Sequence, residues 1–342
     1  MTKTTKLKNI VTFILTTIFV CCNTTVSISQ NKAPENIQFW ELPTGSKIAF
    51  YYFKGKEPRK NTPIIYLHGG PGAHVTSYDI AAFGMLANDG YDVYLYDQIG
   101  SGQSERLNNI MDYTVERHLK DLEAIVNIIG ATKVVLIGHS WGASLAPLYI
   151  AKHPDRVEKL IFSGPGGIIP KNFNYKIPVP DSIKLKRKEI VKYSMSDYLD
   201  SKSVKRYNKI CTEANKGVKI ASDNEIDSLL DCLMMNKSNK NNYDSLKKIN
   251  FERGSGGYSN YMTGKYLYTG MDIRDTLSKC KVPVLILLGE YDDLPWACVN
   301  DYLKVFKNTK LVIIPNSGHS VFTYQPDLCL KLSREFLNSI EK

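Results

Sequence analysis

A G-x-S-x-G pentapeptide, Gly138-His139-Ser140-Trp141-Gly142, stands between a strand-like run and a helical pattern. The run covers residues 133–137, and the helical pattern covers residues 143–153 and ends before Pro154. Glycine at both flanks of the serine allows a turn that is too sharp for neighbouring side chains. We therefore predict that Ser140 is exposed above a sheet, at the start of a helix, as a candidate nucleophile.

Strands and helices alternate on both sides of this turn. The pattern predicts a hairpin at residues 37–53, strands at residues 63–67, 91–96 and 157–163, and a helix at residues 112–129 that Gly130 closes. Alternating strands and helices predict a mostly parallel central sheet with helices on both faces.

The alternation stops in the middle of the chain. Residues 166–278 are polar, lysine-rich and mostly helical in pattern. Strand patterns return at residues 282–288 and 310–314, and a helical pattern at residues 327–340 ends the chain. We expect one core, residues 30–165 and 279–342, that is interrupted by a mainly helical cap at residues 166–278.

A serine hydroxyl becomes a good nucleophile only when a base accepts its proton. His319 follows a predicted strand and the short loop Asn316-Ser317-Gly318, from which it could reach Ser140. A carboxylate must orient such a histidine, and Asp292 or Asp293 could do so, with Glu290 a weaker candidate. Serine, aspartate and histidine in this chain order are typical of α/β-hydrolases.

Acyl transfer also needs N–H donors for the oxyanion that develops on the substrate. The N–H of Trp141, directly after the nucleophile, is one candidate donor. The segment His68-Gly69-Gly70-Pro71-Gly72 follows a predicted strand and offers the second, from Gly70 or from Gly69.

Four motifs together resemble the proline iminopeptidase (prolyl aminopeptidase) branch of the α/β-hydrolases. They are His68-Gly69-Gly70-Pro71-Gly72, the run Asp97-Gln98-Ile99-Gly100-Ser101-Gly102-Gln103-Ser104, the serine pentapeptide, and Gly289-Glu290-Tyr291-Asp292. The resemblance implies an α/β-hydrolase fold, a triad of Ser140, Asp292 and His319, and an oxyanion hole at Gly70 and Trp141. It implies neither a metal nor an organic cofactor.

The resemblance further implies a serine aminopeptidase that releases an N-terminal residue, proline or another small or apolar one, from short peptides. A free amine needs carboxylates around it. Asp293 stands at one family position for such an acid; the other falls near Asn260 or Tyr261, where no acid stands, and Glu252 is the nearest upstream substitute. Tyr258 and Tyr261 are candidates for a substrate pocket or for ordinary cap packing.

Two other functions are compatible with these residues. An esterase, amidase or C–C bond hydrolase of small carbonyl substrates would use the same triad. A non-catalytic receptor or scaffold would not need the triad, and all three residues are present.

The first 29 residues read as an export leader. Three lysines precede an apolar run, Ile10 to Cys22, that is short for a membrane span. We expect a periplasmic, envelope-anchored or secreted protein; alternatives are a lipid-modified Cys21 or Cys22, and a retained membrane anchor.

The formal net charge is +10, but the sequence contains no nucleic-acid-binding motif, so we expect no nucleic-acid partner. The sequence does not indicate an oligomeric state. Among the later cysteines, Cys211 and Cys232 are close enough in the chain to pair in an exported protein.

Overall fold

A computed structural model of the chain describes residues 37–171, 177–186, 194–240 and 246–339. One eight-stranded sheet has the strand order β1-β2-β4-β3-β5-β6-β7-β8. The strands are β1 (Gln38–Glu41), β2 (Lys47–Phe53), β3 (Ile64–Leu67), β4 (Val93–Tyr96), β5 (Val134–His139), β6 (Val157–Ser163), β7 (Val284–Gly289) and β8 (Thr309–Ile314). Strands β1 and β2 form the predicted hairpin, and β3 to β8 run parallel. The mostly parallel sheet is therefore confirmed.

Helices pack on both faces of this sheet. Successive residues of a strand point to opposite faces, and Ile64 and Ile65 accordingly belong to two different buried apolar clusters. The helices are α1 (Ser77–Phe83), α2 (Val115–Ile129), α3 (Trp141–Lys152), α4 (Ser201–Ala214), α5 (Asp223–Lys240), α6 (Gly257–Lys265), α7 (Arg274–Leu277), α8 (Trp296–Val305), α9 (Val321–Tyr324) and α10 (Pro326–Asn338). One cluster takes residues from α2, α3 and α8, and the other from α1 and α10.

Three core helices, α1, α8 and the four-residue α9, were not predicted. Helix α1 has only seven residues, too few for a clear helical period, and a capping box between Thr76 and Asp79 starts it. Helix α8 begins directly after Pro295. Its first four residues are all buried, so the sequence resembles a continuous apolar run and lacks a clear helical period.

Between β6 and β7 the described residues form helices α4 to α7 and short 3₁₀ turns, without a strand. This segment contacts the core at the Gly-rich loop after β3. The N–H of Gly256 donates to Gly72 O at 2.7 Å, and Asn260 Nδ2 donates to Pro71 O at 2.6 Å. The helical character predicted for the inserted segment therefore agrees with the structure, while its boundaries at residues 166 and 278 stay a prediction.

Cys211 and Cys232 do not pair in the structure. Both are free thiols, and burial raises the pKa of Cys211 to about 11. The pairing that the sequence left possible is therefore not formed in the structure.

The predicted leader, residues 1–29 with Cys21 and Cys22, lies outside the described residues. Among the helices that the structure does describe, none has the length and apolar character needed to cross a bilayer.

Candidate active site

Ser140 occupies a one-residue turn between β5 and α3, with a φ of 52°. A Cβ atom at Gly138 would lie 2.7 Å from Ala143 N, and one at Gly142 would overlap the carbonyl oxygen of Leu67. The two glycines therefore let strand, turn and helix pack this tightly. The turn is sharper than predicted, since α3 begins at Trp141.

The backbone of Ser140 is fixed on both sides, by the last residue of β6 and by the loop that follows this strand. Its N–H donates to Ser163 O at 3.1 Å, and its carbonyl accepts from Gly166 N at 2.9 Å. These two bonds hold a strained positive φ at a residue with a side chain.

His319 and Asp292 form a hydrogen-bonded pair. His319 Nδ1 lies 3.1 Å from each carboxylate oxygen of Asp292. Asp292 is almost fully buried, and its Oδ1 also accepts from Leu294 N at 2.9 Å. Of the three acids considered from the sequence, Asp292 is the one that contacts the histidine in this way.

Gly164, directly after β6, makes room for this pair, and the sequence analysis did not identify this role. Its φ is +49°, and a Cβ atom there would lie 2.8 Å from both Asp292 Oδ2 and His319 Nδ1. The sequence feature that could have revealed this role is the glycine-rich run Gly164-Pro165-Gly166-Gly167, which directly follows a predicted strand.

The electrostatic surroundings favour a basic His319. Burial alone would lower its pKa, but the carboxylates of Asp292 and Asp293 raise that pKa above its usual value, while Lys237 acts in the opposite direction. The neighbouring His139 ring lies 4.8 Å from the His319 ring, and burial lowers the pKa of His139 to about 3. Of these two histidines, only His319 has an environment suited to accepting a proton.

Glu290 holds the loop that carries His319 rather than the histidine itself. One oxygen accepts from Asn316 N at 3.0 Å, and the other pairs with Lys186 Nζ of the cap at 2.7 Å. The backbone of Tyr291 also bonds to this loop, at Ser317 O, at 2.9 Å.

The Ser140 hydroxyl makes no hydrogen bond of 3.5 Å or less with any described group, His319 included. His319 and the turn at Ser140, which we call the elbow, nevertheless border one space, because His319, His139 and Gly69 line the same cavity. Hydrogen bonds of this kind are often long in unliganded enzymes and shorten when substrate binds.

The Gly-rich loop after β3 lies against the elbow. A Cβ at Gly69 would come 3.1 Å from Ser140 Cβ, and Gly70 has a φ of +112°. Trp141 is the first residue of α3, so its N–H has no acceptor within the helix. Among the described residues, no hydrogen bond from Gly70 N or Trp141 N is found.

The second glycine motif, residues 97–104, supports this loop. Gln98 Nε2 donates to His68 O at 3.0 Å, Gln98 Oε1 accepts from Trp141 Nε1 at 2.7 Å, and Gln98 N donates to His68 Nε2 at 2.8 Å. Asp97 Oδ1 accepts from Val75 N at 2.8 Å, and burial raises the Asp97 pKa to about 6. The motif therefore positions the Gly-rich loop and the turn at Ser140, and none of its residues lines the cavity beside them.

A cavity of about 550 Å³ opens beside the elbow, between core and cap. The two acids predicted to bind a substrate amine, Asp293 and Glu252, both line it, together with Asp79. Apolar side chains form much of the remaining wall; they include Phe83, Met234, Leu246, Phe251, Leu294 and Phe322.

These carboxylates already have partners. Glu252 accepts from Ser77 N at 2.9 Å and from Ser77 Oγ at 2.5 Å, and Asp293 pairs with Lys237 Nζ at 3.4 Å. A carboxylate has about four acceptor sites, so each retains capacity for a further donor.

The two tyrosines considered for the substrate pocket do not line this cavity. Tyr258 is buried, and its hydroxyl bonds to the backbone N and O of Ala221 at 3.2 and 3.1 Å. Tyr261 accepts from Asn215 Nδ2 at 2.7 Å. Their role in cap packing is the simpler interpretation.

Only one group among the described residues has three potential metal ligands close together, namely Asp292, Asp293 and His319, within 4.8 Å of one another. The Nδ1 atom that faces Asp292 is already hydrogen-bonded to it. A ring nitrogen that is hydrogen-bonded to a carboxylate in this way is typical of a histidine whose orientation and tautomer the carboxylate fixes.

Comparison with known proteins gives a consistent result. A sequence profile of the family described as alpha/beta hydrolase fold matches residues 62–326. A proline iminopeptidase of Saccharolobus solfataricus is 28% identical over 298 residues, covering 86% of this chain and 90% of the relative. One of Lactobacillus helveticus is 27% identical over 315 residues, covering 87% and 97%.

Solved structures agree on the fold. An esterase from Thermogutta terrifontis superposes with a TM-score of 0.60 at 18% identity, covering 88% of this chain and 98% of the esterase. An esterase from Exiguobacterium antarcticum gives a TM-score of 0.59 at 16% identity, covering 88% and 99%. At such identities the likeness concerns the fold alone.

Proposed function

The chain belongs to the alpha/beta hydrolase fold family and is proline iminopeptidase-like, and we propose that it is a serine aminopeptidase acting on short peptides. The observation that carries the choice of an aminopeptidase is that Asp293 and Glu252, two carboxylates for a free amine, line the same cavity as His319. The bond of 3.1 Å between His319 Nδ1 and the buried Asp292 supports the acyl-transfer chemistry that the aminopeptidase and the esterase share.

In the proposed mechanism Ser140 Oγ attacks the carbonyl carbon of the first peptide bond. His319 Nε2 accepts the hydroxyl proton and then donates it to the departing amine. Water repeats the sequence on the acyl-enzyme, which releases the N-terminal residue and restores the serine. Asp292 keeps the Nδ1 proton in place and stabilises the imidazolium that forms in each half.

The oxyanion is proposed to bind the N–H groups of Gly70 and Trp141, with Gly69 as an alternative to Gly70. The absence of Cβ atoms at Gly69 and Gly70 supports this, since it lets the backbone approach Ser140. Loss of one such donor costs about 2.7–4 kcal/mol of transition-state stabilisation in other hydrolases.

The free amine of the substrate is proposed to bind Asp293 and Glu252. Both carboxylates line the cavity beside the elbow. Asp293 lies near His319, since their ligand atoms are within 4.8 Å, and an α-amino group is only two bonds from the carbonyl carbon. His319 and Lys237 hold the Asp293 pKa below its usual value despite burial, so this acid is ionised when a cationic amine arrives.

An esterase or amidase of small carbonyl substrates is the second candidate. It is supported by Asn260, which stands near the expected cap acid and instead donates to Pro71 O. Without that acid the amine has fewer carboxylates available to it.

Kinetics on matched substrates test the two candidates. We expect faster hydrolysis of prolyl and alanyl arylamides than of short acyl esters, and a loss of arylamide hydrolysis when the amine is acetylated. Faster turnover of the esters, with no effect of acetylation, would replace the aminopeptidase by the esterase.

We also propose that residues 1–29 are an export leader that is removed from the mature protein. Its lysines and short apolar run support this. The N-terminal sequence of the mature protein, isolated from its own cells, tests the proposal; an N-terminus still at Met1 would reject it.

A further inference from the structure

The start of α6, in the cap, lies between the two core loops that surround the elbow. On one side the N–H of Gly256, the N-cap of α6, donates to Gly72 O at 2.7 Å, in the Gly-rich loop after β3. On the other side Ser259 Oγ donates to Ile99 O at 3.0 Å, in the second glycine motif. The start of one cap helix is therefore bonded to both loops.

The packing at this junction leaves no space for movement of one part alone. A Cβ at Gly72 would lie 2.5 Å from Gly256 O and 2.8 Å from Asn260 N. A Cβ at Gly256 would overlap Gly100 O of the second motif. Because the helix and both loops are in backbone contact, a displacement of α6 would be transmitted to the loops beside the elbow.

Asn260 adds a side-chain contact at the same place. Its Nδ2 donates to Pro71 O at 2.6 Å, and its backbone N–H donates to Gly256 O at 2.8 Å within the helix. A proline has no N–H, so the carbonyl is the one hydrogen-bonding group that the backbone of Pro71 offers. Asn260 does not line the cavity, so its side chain acts on the loop and not on a substrate.

The N–H groups proposed to bind the oxyanion lie between two such contacts. On the core side, Gln98 Nε2 donates to His68 O at 3.0 Å. On the cap side, Asn260 holds the carbonyl of Pro71. The two residues between His68 and Pro71 are glycines, which restrict their own backbone least of all residues. The direction of an N–H at either glycine therefore depends on what holds the loop at its two ends.

We propose that Asn260 is a positioning residue of the oxyanion hole, through which the cap orients the N–H donors of the Gly-rich loop. The inference rests on the proposed role of Gly70 or Gly69 in the oxyanion hole, and it extends that role to a cap residue. It applies to the aminopeptidase and to the esterase alike, since both reactions form an oxyanion.

The experiment measures kcat and KM of Asn260→Ala on a prolyl arylamide and on a short acyl ester, with core and cap together in the mature protein. Donors aimed at an oxyanion act in the transition state, so their misplacement lowers kcat and leaves KM nearly unchanged. We expect kcat to fall about ten- to hundredfold, as a misplacement of about 1 Å can produce. The factor should be similar for the two substrates.

Asn260→Asp separates this role from binding of the substrate amine. An ionised carboxylate cannot donate to Pro71 O, so kcat should fall at least as far as in Asn260→Ala. A carboxylate placed at an amine site would instead lower KM for the arylamide and keep kcat, without an effect on the ester. That second result would overturn the inference.

Asn236→Ala is the matched control. Asn236 of α5 also donates from Nδ2 to a backbone carbonyl, that of Tyr198, at 2.7 Å, and it is half-buried like Asn260. This bond lies wholly within the cap, and Asn236 does not line the cavity. The variant should keep the kcat and KM of the wild type. Melting temperatures of all variants identify any that fail to fold.

The rate at which a fluorophosphonate labels Ser140 makes the same comparison without a substrate, because the phosphonyl oxygen uses the same donors. This rate should also fall in Asn260→Ala. Hydrolysis of the ester without hydrolysis of the arylamide would reject the aminopeptidase, and the ester kcat and the labelling rate would then decide the inference.

Three results would overturn the inference itself. They are an unchanged kcat and labelling rate in folded Asn260→Ala, a rise in KM without a fall in kcat, and a fall in kcat that Asn236→Ala shares.

Discussion

His319 Nδ1 lies 3.1 Å from both carboxylate oxygens of Asp292, and the carboxylate side chain is only 1% exposed. A buried carboxylate that faces an imidazole fixes which ring nitrogen carries the proton, and so leaves Nε2 as the acceptor. Asp293, one residue further on, is directed to the cavity and to Lys237. Two adjacent acids thus have different partners, and the proposed mechanism gives them different tasks.

Exchanging each of these acids for its amide separates the two tasks. Asp292→Asn should lower kcat by about 10³- to 10⁴-fold, because the histidine loses the partner that sets its tautomer. Asp293→Asn should mainly raise KM for substrates with a free amine. Steady-state kinetics on a prolyl arylamide give both constants, and a similar fall in kcat for the two variants would contradict the assignment.

The pH dependence of kcat/KM should report the carboxylates around His319. The base must be neutral, and Asp292 and Asp293 raise its pKa, so activity should rise through a pKa above that of an ordinary histidine. Asp293→Asn should move this acid limb to lower pH. Lys237→Gln should move it to higher pH, since the lysine lowers the pKa. An acid limb that does not move in either variant would show that another group titrates.

Gly164→Ala should damage the histidine–aspartate pair. The new Cβ would lie 2.8 Å from Asp292 Oδ2 and from His319 Nδ1. We expect the displaced pair to lower kcat at least tenfold, which corresponds to an increase of about 1.4 kcal/mol in the activation free energy. The measurement is kcat together with the free energy of unfolding in urea.

Gly130→Ala is its control. Gly130 has a φ of +71° and nothing within 4 Å of an added Cβ, so the variant should lose about 1 kcal/mol of stability from backbone strain and keep its kcat. Equal kcat values in the two variants would mean that the close approach at Gly164 does not matter to the reaction.

Local patterns were sufficient to predict the sheet and the elbow. Strand β6 was predicted at its observed bounds, and the glycines at 138 and 142 were assigned to a turn without room for side chains, which their surroundings explain. These features depend on residues that are neighbours in the chain, so a periodic pattern or a short motif contains the information.

The pairing of Asp292 with His319 was expected from the motifs and the chain order, but distant contacts that no motif encodes were not predictable in this way. The role of Gly164 requires knowing that residues 292 and 319 meet above the end of β6. The packing role of Tyr258 depends on Ala221 in another cap element. Lys237 was not singled out because a lysine on a polar helix looks like a solvated one until its partner is placed.

The central claim is that Ser140 is a nucleophile activated by His319, and active-site labelling tests it most directly. A fluorophosphonate probe is added to the folded protein, and the modified residue is located by mass spectrometry of peptides. We predict modification of Ser140, with labelling lost in Ser140→Ala and strongly slowed in His319→Ala. An unmodified Ser140 in the folded wild type, or equal labelling rates in wild type and His319→Ala, would contradict the account.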